Sequence, residues 1–202
     1  MTRLSREERS SLVEVADKIL KGKEPTSITA YGSKVAGYAR PDSDYDLIVT
    51  VRKFTGRVQY MYDKEPIHAS ALIVEDKLFT DDASKAYLGE FVSGRLLNVY
   101  EPILNDEFVR TAEVDYKKRV IAESLLELAS EYGEFTQDLV FPMDYFLFDK
   151  LHKRAMIYPP ALYSYVKTYT CDTAKENREF TLRGFAEAAD SLASQGIVTV
   201  SK

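Results

Sequence analysis

Between residues 44 and 51 polar and apolar positions alternate with a period of two. Asp44, Asp46, Ile48 and Thr50 share one face, and Tyr45, Leu47, Val49 and Val51 share the other, which predicts a strand whose two aspartates point the same way. Upstream, Ile28 to Tyr31 reads as a short strand, Gly32-Ser33 as a break, Lys34 onward as a helical turn or two, and Pro41-Asp42-Ser43 as a polar turn. Ahead of these, Ser5 and Glu8 form a capping box for a helix in which Leu12, Val15, Ala16 and Ile19 recur at helical spacing until Gly22. That helix is suited to cover one face of a sheet. Two further strands are expected at Arg57 to Tyr62 and Ile67 to Val74, joined by the turn Asp63-Lys64-Glu65-Pro66.

From Asp81 the period changes from two to that of a helix. Tyr87, Leu88, Phe91, Val92 and Leu96 predict an apolar helical stripe that stops before Pro102. Asp106 is placed to cap a long helix carrying Phe108, Val109, Ala112, Tyr116, Val120, Leu125 and Leu128 as far as Gly133. A loop follows at Thr136 to Phe141, then helices from Pro142 to about Ile157 and from Ala161 to Tyr169 around Pro159-Pro160. Asp172 to Asn177 reads as a polar linker and Leu182 to Ser194 as a helix. Gly196 then precedes a strand-like Ile197-Val198-Thr199-Val200, an arrangement that also occurs in winged-helix domains. The expected fold class is α+β: a mixed β-sheet with flanking helices over residues 1–80, then a helical domain over 81–202 that ends in a winged-helix-like element.

Composition narrows the function classes. The chain has 202 residues, 45% apolar and 29% charged, with a net charge of -5, which argues against coating nucleic acid by bulk attraction. A single cysteine, Cys171, excludes an internal disulfide and a thiolate metal cluster. The opening residues are too charged for a secretory signal and no apolar run approaches membrane-spanning length, so a cytoplasmic protein with no membrane contact is expected.

The chemistry concentrates in residues 27–51. Two aspartates at i and i+2 supply hard oxygen ligands for a divalent cation such as Mg²⁺ or Mn²⁺ and leave positions for water and phosphate oxygens. Gly32-Ser33, between a strand and a helix start, offers backbone N–H groups, a close backbone approach and a hydroxyl to an anion. An ordinary polar turn is the alternative for Asp42-Ser43-Asp44 taken alone.

Tyr31-Gly32-Ser33, Gly37, Arg40 and Ser43-Asp44-Tyr45-Asp46-Leu47, in this order between two strands, resemble the signature of the nucleotidyltransferase superfamily typified by DNA polymerase beta, and its small prokaryotic and archaeal members in particular. The resemblance covers roughly residues 27 to 75. It implies transfer of a nucleoside monophosphate from an NTP to an acceptor, with Asp44 and Asp46 holding Mg²⁺ (or Mn²⁺) and Gly32 and Ser33 holding the triphosphate. Lys34 or Arg40 would neutralise phosphate charge, unless Lys34 simply lies on a helix surface. The acceptor is left open as a small molecule, a protein or an RNA end.

In that family a third carboxylate stands on the neighbouring strand, yet the interior of Ile67 to Val74 offers only His68 and Ser70. Glu65 lies just before this strand, and Glu75 and Asp76 just beyond it. His68 is the replacement to consider, against its reading as a packed or surface residue. The gap supports an alternative: a nucleotide-binding or partner-binding module on the same fold whose transfer is weakened or lost. A third reading, a winged-helix regulator that senses nucleotide, rests on the last twenty residues. Lys150, His152, Lys153 and Arg154 with Tyr158, Tyr163, Tyr165 and Tyr169 could grip a triphosphate tail or stack on RNA bases, or form a solvated helix face beside a tyrosine-lined core. Lys150 and Lys153 are the residues to test there.

Overall fold

The computed structural model describes residues 3–200, apart from the side chains of residues 137 and 138. Ser5 and Glu8 make the reciprocal capping box that opens α1 (Arg6–Leu20), with Lys21 as its left-handed C-cap. Leu12, Val15 and Ala16 are fully buried against the sheet. Burial of a Leu or Val of this kind contributes about 2 kcal/mol each.

Five strands, β1 (Pro25–Tyr31), β2 (Tyr45–Val51), β3 (Val58–Asp63), β4 (Ala69–Glu75) and β5 (Tyr100–Leu104), form one mixed sheet in the order β3-β4-β2-β1-β5. β2 and β4 run parallel and every other pairing is antiparallel. The period of two in β2 holds. Tyr45, Leu47, Val49 and Val51 pack with Ile28, Ala30, Ala71 and Ile73 beneath α1, whereas Ile48 faces the opposite core. That second core joins Ile48 and Val74 of the sheet to Phe79, Leu96, Tyr116, Val120, Phe185 and Leu192 of the helical half. Asp46 lies on this second face, near the start of β2 and open to a cleft between the sheet and the helical half.

After a one-turn α2 (Ser33–Ala36), the helices are α3 (Asp76–Lys85), α4 (Asp106–Tyr132), α5 (Met143–Ile157), α6 (Ala161–Thr168) and α7 (Ala174–Ser194), with 3-10 turns at Ser93–Leu97 and Gly133–Asp138. Asn105 caps α4 through its side chain, so the cap falls one residue before Asp106. None of the helices among the described residues is long and apolar enough to cross a membrane.

Three expectations are corrected. The apolar stripe from Tyr87 to Leu96 does not form a helix, because the buried Asp82 carboxylate accepts four backbone N–H groups, from Leu88, Glu90, Val92 and Ser93, at 2.8–3.1 Å. Those donors are thereby withdrawn from a helical ladder, and the chain loops back into β5. Pro102 fits inside β5 because it is an edge strand, where a missing N–H breaks no ladder on its outer side. Secondly, α7 begins at Ala174, so the expected polar linker is its N-cap and first turn, with Thr173 and Asn177 hydrogen-bonded to the Ala36 carbonyl while Asp172, Lys175 and Glu176 are exposed. Thirdly, Ile197–Val200 is not a strand: Gly196 takes a left-handed φ of 72° and Ile197 N–H returns to Leu192 O at 3.0 Å, ending α7 in extended chain. The winged-helix element has no strand to stand on among the described residues.

Candidate active site

The site is built where β1 ends beside the start of β2. Tyr31 pairs with Asp46, so the Gly32 turn falls directly over the aspartate. Gly32 has φ 80°, and a Cβ there would come within 2.2 Å of Asp46 Oδ2. Only glycine fits both the conformation and the space. α2 is a single turn, so its dipole is slight; what it offers is its first amides, which have no carbonyl behind them in the helix.

α2 is held from behind by residues far away in the chain. The Val35 carbonyl accepts from Arg3 Nη1 at 2.8 Å, and the Ala36 carbonyl accepts from Thr173 Oγ1 at 2.7 Å and Asn177 Nδ2 at 2.9 Å. Gly37, at φ 84°, closes the turn where a Cβ would lie 2.5 Å from Thr173 Oγ1. Nothing in the local sequence of residues 27–51 announces this support; the polar run at Asp172 to Asn177 was its only trace.

Asp46 is largely withdrawn from water. Burial pushes its carboxyl up to about 6, the charge of Asp44 adds to the rise, and the Ser70 hydroxyl and Arg95 oppose it. A divalent cation between Asp44 and Asp46 would relieve the same repulsion, so the donor set fits one. Among the described residues no group of three or more His, Cys, Asp or Glu side chains gathers into a metal site. The parallel register places Ser70, not an acid, directly across from Asp46, and the Ser70 hydroxyl donates to Asp46 Oδ1 at 3.3 Å. The sequence offered His68 and Ser70 and favoured His68 as the replacement, because only the register of β4 shows which of its residues meets Asp46.

The other acids and His68 lie elsewhere. Glu65 is exposed in a turn whose carbonyl is held by Lys18 of α1, toward the opposite face of the sheet. Glu75 pairs with Val51 at the far end of β2, roughly 16 Å of strand away from Ser70. His68 accepts the Tyr45 N–H through its carbonyl at 2.9 Å and packs its ring edge-on to Tyr62 at 4.9 Å. Its Nε2 is buried with no hydrogen-bond partner.

The cations sort themselves differently from expectation. Lys150 is bound to Glu90 at 2.7 Å and Glu123 at 3.2 Å, and Lys153 to Asp149 at 2.7 Å and to Glu127. Neither lines the cleft. Lys34 sits over the Tyr45 ring at 5.1 Å, and Arg40 is exposed, its backbone N–H donating to Ser43 Oγ at 3.0 Å. The cleft itself, of about 390 Å³, runs from Gly32, Ser33 and Asp46 across to Arg95, Arg154 and the tyrosines of α6. Arg95 was not singled out from the sequence, and Arg154 only as one of a cluster.

Gly32, Ser33 and Asp46 line one cleft, with Asp44 two residues before Asp46. Among curated proteins none matches the chain. Among solved structures it is similar to a nucleotidyltransferase-like protein from Exiguobacterium sibiricum, at 11% identity over 91% of this chain and 75% of that one, with a TM-score of 0.38, too distant a likeness to carry an argument. The nucleotidyltransferase domain pattern matches residues 12–180, taking in the sheet, the cleft and most of the helices; the chain belongs to the nucleotidyltransferase domain family.

Proposed function

We propose that the protein moves a nucleoside monophosphate from an NTP to an acceptor hydroxyl or phosphate. The acceptor oxygen bonds to the α-phosphorus, the bond from that phosphorus to the bridging oxygen breaks, and pyrophosphate leaves. Membership of the family supports nucleotidyl transfer in general. The observation that carries the site-level reading is the fit of Gly32 over Asp46, where a Cβ would be 2.2 Å from the carboxylate: backbone amides and a metal-type carboxylate are brought closer than any other residue would allow. In this reading the amides and hydroxyl of Gly32-Ser33 take the β- and γ-phosphates, with Lys34 and Arg40 flanking them. Asp44 and Asp46 hold Mg²⁺ or Mn²⁺, which when bound neutralises phosphate charge and polarises the reacting phosphoryl group. The acceptor is a small molecule, a protein or an RNA end.

A second reading has its own observation. Ser70 is hydrogen-bonded to Asp46 at the position where a third carboxylate would complete the site, and a neutral hydroxyl neither binds a second cation strongly nor takes the acceptor's proton. It supports a module that binds nucleotide and transfers slowly or not at all.

Calorimetric titration of the four NTPs, with and without Mg²⁺, on wild type and on Asp44→Asn/Asp46→Asn, tests the site. Metal-dependent binding is expected in wild type and absent from the double variant, whose thermal midpoint stays level or rises because a buried charge has been removed. Equal binding by both proteins, or a collapsed midpoint, would remove the aspartates from the chemistry and return them to a structural turn.

A further inference from the structure

The cleft has two electrically opposite ends. One carries Asp46, with Asp44 two residues before it. The other carries two guanidinium groups, and their surroundings leave both with charge to spare.

Arg95 follows Gly94 in the 3-10 turn at Ser93–Leu97 and lines the cleft. It donates to the Phe91 carbonyl and lies over the Phe91 ring at 4.9 Å and near the Tyr31 ring at 5.9 Å. Among the described residues no carboxylate oxygen forms an ion pair with it. An arginine stacked on aromatic rings with its outer donors open is arranged to meet an anion.

Arg154 is held more firmly. Its Nη1 meets Glu90 Oε2 at 2.7 Å and its Nε donates to the Tyr165 hydroxyl at 3.1 Å. The guanidinium lies flat over Gly94, where a Cβ would sit 2.3–2.4 Å from its atoms, so the absence of a side chain at 94 is what admits it to the cleft wall. Glu90 is shared, because Arg119 and Lys150 also bind it, at 2.8 and 2.7 Å. Glu123 serves those same two cations. Two carboxylates thus face three cations, and Arg154 is the member of the cluster that reaches the cleft.

We infer that Arg95 and Arg154 are the polyphosphate-binding residues of this protein, receiving the phosphate chain of the nucleotide from the helical side while Gly32-Ser33 and the aspartate-bound cation hold it from the sheet. The inference rests on the nucleotide reading of the cleft. It keeps Arg154 from the basic cluster that the sequence offered for this role, leaves out Lys150 and Lys153, which are bound to Glu90, Glu123, Asp149 and Glu127, and adds Arg95.

The test is calorimetric, using Arg95→Gln, Arg95→Lys and Arg154→Gln, with the tightest-binding NTP in Mg²⁺, its parent nucleoside, and inorganic tripolyphosphate as probes. Arg95→Gln is expected to weaken NTP and tripolyphosphate about tenfold, the loss of one charge-assisted hydrogen bond, with the nucleoside unaffected and Arg95→Lys falling in between. Arg154→Gln is expected to do the same, its thermal midpoint being followed alongside; Arg95→Gln decides if Arg154→Gln does not fold. Wild-type NTP affinity in Arg95→Gln overturns the inference and leaves the nucleotide reading standing, even when acceptor KM rises, since the anion would then belong to the acceptor. Arginine-dependent binding of tripolyphosphate without any NTP binding keeps the arginine wall and overturns the nucleotide reading. Binding of neither probe by wild type overturns both.

Discussion

At the scale of single residues, the site depends on what is missing as much as on what is present. Gly32 lacks the Cβ that would collide with Asp46, and Gly94 lacks the one that would collide with Arg154. Ser70 lacks the charge that a third ligand would bring, and this separates the two functional readings. Ser70→Asp places a carboxylate across from Asp46 at a position whose side chain already reaches it. If transfer is limited by the missing acid, this variant should raise turnover about tenfold or more with NTP and Mg²⁺ present, within the usual contribution of a positioned base. Without metal it should lose stability, because a buried negative charge is placed against Asp46 and near Asp44. Turnover that falls in Ser70→Asp while wild type is active would mean that the serine is itself the working residue. The turn at Gly32 and the strand face that Asp46 takes were legible from the sequence; the pairing of Asp46 with Ser70 was not, since one residue of register slip would have put Ala69 or Ala71 there instead.

At the scale of elements, α2 is too short to hold itself. Its carbonyls are fastened by α7, whose first turns carry Thr173 as N-cap and Asn177 fully buried. Asn177 Nδ2 donates to Ala36 O at 2.9 Å and Thr168 O at 2.7 Å, while its Oδ1 accepts from Arg3. Asn177→Ala strands these groups without partners and is expected to cost about 2–3 kcal/mol of stability, read from denaturant midpoints. It should also weaken NTP binding, because the Gly32-Ser33 turn loses the support behind it. Full NTP affinity in a destabilised Asn177→Ala protein would show that the turn does not depend on Asn177, Arg3 and Thr173 sufficing to hold α2. Asp172 to Asn177 read as a linker because its side chains are polar, and polarity alone does not distinguish groups facing water, such as Lys175 and Glu176, from one facing buried carbonyls, such as Asn177. The loop at residues 86–93 misled for the complementary reason: its apolar residues follow a helical period, but Asp82 takes the backbone donors that a helix would need.

At the scale of the whole molecule, one face of the sheet shares a core with the helices, and the ion-pair cluster at Glu90 ties α4 and α5 to the wall of the cleft. Burial by itself would raise the Glu90 carboxyl, but Lys150 and Arg119 outweigh it and hold it at about 2, against an ordinary 4.5. Its ionised form is therefore favoured by folding. The stabilisation is complete above about pH 4.5 and is lost as pH falls toward 2. Urea midpoints measured from pH 5 to pH 2 should fall less steeply in Glu90→Gln than in wild type, from a lower starting stability because Arg119, Lys150 and Arg154 lose a shared partner. Parallel curves would mean that Glu90 does not titrate with folding.

The sequence by itself determined what local patterns encode. These are the capping box of α1, the period of two that turns Asp46 away from Leu47, and the ordered glycine turn and aspartates. A few neighbouring residues suffice to specify each. Only the tertiary structure decided which distant groups meet them: β5 as the edge of the sheet, Ser70 across from Asp46, Asn177 behind α2, and Arg95 and Arg154 in the cleft that Asp46 lines. Those meetings depend on strand register, on backbone donors diverted by Asp82, and on the sharing of Glu90 among three cations. Such contacts join residues tens of positions apart, and no periodicity along the chain records them.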